Sequence, residues 1–148
     1  MFTKILMPSD GSDYALRAAE YGADIAKKYE AEVTLLYVAE MLPVLGMQSD
    51  QETHNKMRVD LQEHGTEALR KTAEVFERAG VHPHQELLFG SAVPIIIQYA
   101  REGAFDLLVM GSRGAGSTAI DQILIGSVAE GILHGAPCPI LMVRPRQS

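Results

Sequence analysis

Residues 105–128, FDLLVMGSRGAGSTAIDQILIGSV, join a short apolar run to a stretch rich in small residues. The apolar run, Phe105–Met110, has the length of a β-strand, and its last four residues lack the polar alternation of a half-exposed strand. From Gly111 to Val128 the chain holds four glycines and four serine or threonine residues. This stretch therefore predicts a buried strand followed by a glycine loop, which is either a plain connection or a cradle for phosphate.

The rest of the chain alternates between strand and helix in the same way. Five strands are predicted at Phe2–Met7, Glu32–Val38, Val81–Phe89, Phe105–Met110 and Pro139–Val143. Four helices are predicted at Ser12–Lys28, Glu52–Ala79, Ala92–Glu102 and Ser127–His134. This order implies an α/β fold, a mainly parallel sheet with helices packed on both faces.

Size and composition indicate one domain. The chain has 148 residues, so residues 1–148 are predicted to form a single domain that buries roughly 68–70% of its unfolded surface. The net charge of −6 argues against a nucleic-acid partner, because phosphate backbones require a basic face. No apolar run approaches the ~18 residues of a membrane span, and the single cysteine, Cys138, fits a reducing compartment. We therefore expect a cytoplasmic protein.

Two segments follow predicted strands and carry polar or glycine-rich sequence: Pro8–Ser12 and Gly111–Ser127. Parallel sheets bind ligands outside the carboxyl ends of their strands, at the point where the strand order reverses. Both segments are therefore candidates for one binding site.

The glycine loop matches neither of two common phosphate-binding motifs. Gly111 and Gly116 have the spacing of a P-loop, but Ser117 stands where the lysine should be. Gly114, Gly116 and Ala119 match a dinucleotide fingerprint. The acidic residue expected at the end of the next strand and a further βαβ unit are both missing, so we attribute this match to chance.

The loop can still hold an anion through its main chain. Glycine has no Cβ, so backbone N–H groups can approach an anion closely, and the helix start at Gly126-Ser127 adds unpaired donors. Arg113 adds a full positive charge. Three or four hydrogen bonds of about 1.5–3 kcal/mol each, with an apolar slot for a base, reach micromolar affinity, about −8 kcal/mol. A placed cation and a base for fast phosphoryl transfer are missing, so no catalytic residue is predicted.

Taken together, the motifs resemble those of the universal stress protein family. The opening motif Pro-x-Asp-Gly-Ser is matched by Pro8-Ser9-Asp10-Gly11-Ser12. The later signature, two glycines and then Gly-Ser/Thr, is matched by Gly111-Ser112-Arg113-Gly114 and Gly126-Ser127, and the family ending by Ala136–Val143. The resemblance covers essentially the whole chain. It implies a three-layer, Rossmann-like sandwich that binds adenine nucleotides, with a five-stranded parallel sheet of order 3-2-1-4-5.

The chain departs from the family signature in the length of the glycine loop. Eleven residues lie between Gly114 and Gly126, where the signature has nine. Taking Gly116 as the second glycine restores the nine-residue gap, but its distance from Gly111 then grows. Either alignment leaves the loop two residues longer, while the glycines and the helix start remain.

In ATP-binding members, as the resemblance implies, the aspartate of the first motif contacts the nucleoside, so Asp10 takes that role. Pro8 and Val38 would help to form the slot for the base. The ribose and the phosphates would be lined by Met110, Gly111, Arg113, Gly114, Gly116, Gly126, Ser127 and Val128. The implied cofactor is ATP, with or without Mg²⁺, and no resident metal is predicted.

Three of these residues also have a purely structural explanation. Asp10 could cap the helix that follows it, since Asp is a favoured N-cap residue. Ser127 and Glu130 have the spacing of a capping box. Arg113 could be a solvated loop arginine.

Two further features have structural explanations that we prefer to functional ones. His82, His84 and Glu86 alternate on one face of the third strand and could share a metal ion, but a fourth ligand at diagnostic spacing is lacking. Pro83 between them fits an edge strand. Cys138 is expected to be buried at a strand start rather than reactive.

The leading hypothesis is a cytoplasmic stress-response protein that binds ATP and acts as a regulator or switch, with slow or no hydrolysis. The resemblance also implies a homodimer, and the apolar strand Pro139–Val143 could pair as an edge strand. The protein partner of such a switch is unknown. The alternative is a dimeric interaction module of the same fold that holds no nucleotide. An enzyme acting on adenine nucleotides is a third class, for which no base, nucleophile or metal cluster stands out.

Overall fold

The computed structural model describes residues 1–41, 51–114 and 126–146. Its strands are β1 (Lys4–Pro8), β2 (Glu32–Ala39), β3 (His84–Phe89), β4 (Leu107–Gly111) and β5 (Ile140–Val143). Its helices are α1 (Asp13–Tyr29), α2 (Gln51–Arg78), α3 (Ala92–Glu102) and α4 (Ser127–Gly135). None of these helices combines the length and the apolar character that a membrane span requires. The predicted α/β alternation is confirmed.

The strands form one parallel sheet in the order β3-β2-β1-β4-β5, which confirms the order implied by the resemblance. β1 lies at the centre, where Ile5 pairs with Val33 of β2 and with Leu107 of β4. The chain runs from β1 outward to β3, returns to β4 beside β1, and continues to β5. Because the order reverses between β1 and β4, the loops after these two strands meet at one crevice.

Alternate side chains of the central strands enter two cores, one on each face of the sheet. Ile5 and Met7 pack with α1 and α2, whereas Leu6 packs with α3 and α4. All three side chains are fully buried. Helices on both faces of the sheet thus explain why β1 lacks polar alternation. This packing confirms the predicted three-layer arrangement.

The prediction of a third strand from Val81 is wrong by three residues, because β3 begins at His84. The Val81 N–H donates to the Phe76 carbonyl at 3.0 Å and closes the turn that ends α2. Pro83 has no N–H with which to extend the ladder toward β2. The other predicted bounds differ from the observed ones by at most two residues.

A chain of buried hydroxyl groups ties the loop after β1 to α2. The Ser9 and Thr72 hydroxyl oxygens are 2.7 Å apart, and Thr72 Oγ1 donates to the Ala68 carbonyl at 2.8 Å, so Ser9 donates to Thr72. Ser9 Oγ in turn accepts from the Gly11 N–H at 3.2 Å. Gly11 has φ +75°, and a Cβ there would lie 2.8 Å from Ala68 Cα. The loop therefore rests directly on α2.

Thr72→Val removes one hydroxyl from this chain and keeps the shape of the side chain. Ser9 then loses its buried acceptor, so we expect the free energy of unfolding to fall by about 1–3 kcal/mol. Urea unfolding followed by circular dichroism measures the change. Thr66→Val is the matched control, because the Thr66 hydroxyl makes the same type of bond, to the Gln62 carbonyl, on the exposed face of α2. Its effect should stay within about 0.5 kcal/mol.

Ser9→Ala combined with Thr72→Val tests the pairing itself. Residues that share a hydrogen bond couple by about 0.5–3 kcal/mol in a double-mutant cycle, so the combined loss should be smaller than the sum of the single losses. Purely additive losses would show that this pair does not anchor the loop.

Candidate functional site

A cavity of about 690 Å³ opens at the carboxyl ends of β1, β2 and β4. Ten of the eleven residues proposed from the sequence line it: Pro8, Asp10, Val38, Met110, Gly111, Arg113, Gly114, Gly126, Ser127 and Val128. The eleventh, Gly116, lies outside the described residues. The fold thus brings two distant segments of the sequence to one place, together with the starts of α3 and α4.

A wider and more open groove of about 1150 Å³ lies at the opposite, amino-terminal end of the strands. It mixes charges of both signs, among them Lys4, Glu32 and Glu102. The Lys4 ammonium donates to the Gly103 carbonyl and lies 4.8 Å from the centre of the Phe105 ring, so it already has partners within the protein. We place the candidate site at the carboxyl ends, where some buried polar atoms have no partner within the described part of the chain.

Asp10 lies in the turn between β1 and α1 and is not the cap of that helix. Its Oδ1 accepts from the Ser12 N–H at 2.9 Å. Ser12 is the N-cap residue, and its hydroxyl accepts from the Ala15 N–H at 3.2 Å. The structural alternative proposed for Asp10 is therefore wrong. The cap residue instead positions the Asp10 carboxylate, which lines the cavity.

The Asp10 carboxylate lies against Gly114 of the loop after β4. A Cβ on Gly114 would be 2.8 Å from Asp10 Oδ2, so any side chain at this position would displace the carboxylate. Asp10 also acts on Tyr37 of β2. Burial raises the pKa of the Tyr37 phenol, and the negative charge of Asp10 raises it further. Asp10 is thus held at the point where three segments of the chain converge.

The main-chain carbonyl of Ser112 joins β4 to the start of α4. It accepts from the Gly126 N–H at 2.8 Å and from Arg113 Nη1 at 2.9 Å. The Ser112 N–H donates to the Val143 carbonyl at 3.0 Å, which extends the pairing of β4 with β5. A Cβ on Gly126 would lie 3.2 Å from the Ser112 carbonyl oxygen, so a glycine allows the two backbones to meet.

Helix α4 begins without a side-chain cap. Gly126 is the N-cap residue and Ser127 is the first helical residue, so the predicted capping box of Ser127 and Glu130 is wrong. The first hydrogen bond of the helix runs from the Glu130 N–H to the Gly126 carbonyl at 2.9 Å. The N–H groups of Ser127, Val128 and Ala129 therefore have no acceptor within the helix. They bring the positive end of the helix dipole to the cavity that these residues line.

Arg113 is buried beside this helix start, with 5% of its surface exposed. The alternative of a solvated loop arginine is therefore wrong. Within the described part of the chain, its buried Nε and Nη2 have no hydrogen-bond partner, and neither has the fully buried hydroxyl of Ser112. Both residues line the cavity, and these three polar atoms are shielded from solvent.

Part of the cavity lining is apolar. It is formed by Pro8, Leu36, Val38, Ile96 and Met110. Such a wall suits a flat, weakly polar group such as a nucleobase, because contact with it removes apolar surface from water.

Two helices begin at the cavity, and their charges differ. The Ala92 N–H at the start of α3 donates to Glu40 Oε1 at 2.6 Å, so a carboxylate already occupies that helix end. At the start of α4, the described residues place no such carboxylate, and Arg113 lies nearby. An anionic ligand group is therefore favoured at α4 and opposed at α3.

Sequence reasoning missed ten of the twenty residues that line the cavity, among them the polar residues Tyr37, Glu40 and Ser112. Glu40 follows the predicted end of β2 by two residues, so the rule that ligands bind beyond strand ends could have found it. Ser112 lies inside the glycine motif, but nothing in the sequence indicates that its hydroxyl is fully buried.

The other candidates line no part of this cavity. Because β3 begins at His84, His82 does not share a strand face with it, and His84 Nε2 pairs with Glu86 Oε2 at 3.2 Å. The described residues contain no group of three or more side chains placed to hold a metal ion. Cys138 is half-buried just before β5, and burial raises the pKa of its thiol, with a further contribution from the charge of Asp106.

The sequence of the chain is similar to one protein family over nearly its whole length. The sequence model of the universal stress protein family matches residues 1–144. A universal stress protein of Methanocaldococcus jannaschii is 38% identical over 144 residues, which are 97% of this chain and 83% of that protein.

Solved structures share the fold. The hypothetical protein MJ0577 is 26% identical, with a TM-score of 0.84 over 100% of this chain and 99% of that one. A universal stress protein in complex with cAMP is 22% identical, with a TM-score of 0.72 over 98% and 99% of the two chains. Proteins of the same fold from Arabidopsis thaliana, with AMP bound, and from Archaeoglobus fulgidus, in complex with dAMP, each have a TM-score of 0.68. The family match and the identity to the M. jannaschii protein show that this chain belongs to the universal stress protein family.

Proposed function

We propose that the protein binds ATP in the cavity at the carboxyl ends of the strands and acts as a nucleotide-dependent switch in a stress response. The observation that carries the proposal is a single cavity lined by apolar side chains, by the start of α4 and by the buried Arg113. The base would lie against Pro8 and Val38. The phosphates would accept hydrogen bonds from the first N–H groups of α4 and from Arg113.

The ligands of related structures support the adenine class. The complexes with cAMP, AMP and dAMP all contain an adenine base and a phosphate group. ATP adds two phosphates, which the three N–H groups at the start of α4 and the Arg113 guanidinium can hold by charge-assisted hydrogen bonds. The Asp10 carboxylate, beside Gly114, would accept from a ribose hydroxyl.

The lining residues favour binding over rapid turnover. Glu40 is engaged at the start of α3, and Asp10 Oδ1 accepts from Ser12. Neither carboxylate is therefore placed as an unencumbered base for an attacking water, and we propose slow or no hydrolysis. The switch would respond to whether the site is occupied. The hydrogen bond between Ser9, which lines the cavity, and Thr72 would connect the site to α2.

We further propose a cytoplasmic homodimer that pairs through β5. This strand is an edge of the sheet, and its first three residues are apolar and only half-buried. Two apolar side chains of the preceding helix are exposed, Val128 by 40% and Leu133 by 47%. Sedimentation of the purified protein should give about twice the chain mass of 16.1 kDa. A monomer at micromolar concentration would contradict this part of the proposal.

Nucleotide binding is tested on the purified wild-type protein. The chain has no Trp and five Tyr, so a co-purified nucleotide would dominate its absorbance near 260 nm. ATP at a hundred times its Kd should stabilise the fold by about 2.7 kcal/mol and raise the melting temperature by about 5–10 °C. If no nucleotide co-purifies and ATP leaves the melting temperature unchanged, the interaction module without nucleotide becomes the better description.

The placement of the nucleoside is tested at Asp10 and Gly114. Gly114→Ala puts a Cβ against Asp10 Oδ2, and Asp10→Asn removes the charge while keeping the shape. We expect each to weaken ATP binding about tenfold, or about 1.4 kcal/mol, in calorimetric titrations. Asp24→Asn is the control, because Asp24 lies on the exposed face of α1 and pairs with Lys28. Wild-type affinity in both site variants would show that the nucleoside does not lie at Asp10.

A further inference from the structure

Tyr37 borders the cavity from the side of the sheet that α1 and α2 cover. Leu35 and Tyr37 of β2 share one face of the strand and belong to the core beneath these two helices, whereas Leu36 packs with α3 and α4. Tyr37 has 8% of its surface exposed, and it lines the cavity together with Asp10. It is thus a mostly buried aromatic side chain that still reaches the candidate site.

Helix α2 fixes the position of the Tyr37 ring. A Cβ on Gly65 would lie 2.5 Å from Tyr37 Cδ1 and 2.7 Å from Cε1, so the helix approaches the ring this closely because residue 65 is a glycine. The His64 ring meets the Tyr37 ring edge-on, with the two centroids 6.0 Å apart. Packing therefore positions the phenol before any ligand binds, which is the preorganisation that a specific contact requires.

The Tyr37 hydroxyl is available to a ligand. Within the described part of the chain, the side-chain polar atoms that are shielded from solvent and lack a hydrogen bond belong to Ser112 and Arg113, not to Tyr37. Burial raises the pKa of the phenol and the charge of Asp10 raises it further, and neither cause is a hydrogen bond. The hydroxyl is therefore a protonated donor, near the Asp10 carboxylate but not bonded to it.

A donor and an acceptor so placed suit a ligand that carries two neighbouring hydroxyl groups. The Asp10 carboxylate can only accept a hydrogen bond, whereas the phenol can donate one. The residues that α1 and α2 themselves contribute to the lining are apolar, Ala15 and Leu61, and the Ser9 hydroxyl is engaged with Thr72. The 2′- and 3′-hydroxyls of a ribose form such a pair, because each can donate and accept.

We propose that Tyr37 is a specificity residue for the sugar: its hydroxyl donates to one ribose hydroxyl while Asp10 accepts from the other, so that the site prefers ribonucleotides to their deoxy forms. The inference rests on the proposed function, in which the ribose lies at Asp10. A site built to hydrogen-bond a ligand hydroxyl rejects the analogue that lacks it, because the polar group of the protein then loses its partner.

The test combines one protein variant with two ligand variants in calorimetric titrations. Tyr37→Phe removes the hydroxyl and keeps the ring against α2, whereas 2′-deoxy-ATP and 3′-deoxy-ATP each lack one ribose hydroxyl. The wild type should bind the analogue without the partner of Tyr37 about 2- to 10-fold more weakly than ATP, the effect of one hydrogen bond. The analogue without the partner of Asp10 should bind at least about tenfold more weakly, because that acceptor is charged.

In Tyr37→Phe, the penalty should disappear for the first analogue and remain for the second. Equal weakening of all three nucleotides would assign Tyr37 a purely structural role and overturn the inference, as would three unchanged affinities. Both results would leave the proposed function intact. If the wild type binds none of the three nucleotides, the proposed function fails and the inference fails with it.

Tyr99→Phe is the matched control. Tyr99 is a half-buried tyrosine of α3 whose ring stacks on Phe105 at the opposite end of the strands. This variant also loses one phenol hydroxyl, but it should bind ATP and both deoxy nucleotides like the wild type. The same change in deoxy selectivity in Tyr99→Phe would show that the effect does not arise at the cavity, and would contradict the inference.

Discussion

The Ser112 carbonyl is the contact on which the site depends. It accepts from the Gly126 N–H and from Arg113 Nη1, so one oxygen fixes both the start of α4 and the arginine beside it. The residues that make these two contacts, Ser112, Arg113 and Gly126, flank the segment between Gly114 and Gly126. The Ser112 carbonyl therefore fixes the start of α4 through described residues that flank this segment.

The starts of α3 and α4 differ in charge, so the cavity favours an anionic group at α4 and disfavours one at α3. Glu40 occupies the start of α3, whereas the start of α4 is left uncapped and lies beside a buried positive charge. Within the described residues, the uncapped helix start and the unpaired nitrogens of Arg113 are each less favourable for the ligand-free fold than a side-chain cap and a paired arginine would be. Departures from the most stable arrangement are expected at functional sites, and these two line the same cavity.

The layered fold could be predicted from the sequence, but the burial and the hydrogen-bond partners of the site residues could not. Runs such as Ile5-Leu6-Met7 and Leu107–Met110 indicate strands covered on both faces, and glycine and proline mark most of their ends. The start of β3 was misplaced because Val81 closes the last turn of α2, a contact that no local pattern reports. The burial of Arg113 is not indicated by its neighbours along the chain, and the cap of α1 is Ser12, two residues after Asp10. The roles of these residues follow from three-dimensional contacts, which spacing alone does not determine.

The central claim is that main-chain donors at α4 and the Arg113 guanidinium hold a phosphate, while the apolar wall holds a base. The most direct test compares the affinities of the wild-type protein for adenosine and for ATP by calorimetry in one metal-free buffer. The two ligands share the base and the ribose, so their difference isolates the phosphates. The account predicts that ATP binds at least about a hundredfold more tightly, which corresponds to two or more hydrogen bonds to charged groups. Equal affinities would show that the start of α4 does not hold the phosphates and would contradict the account.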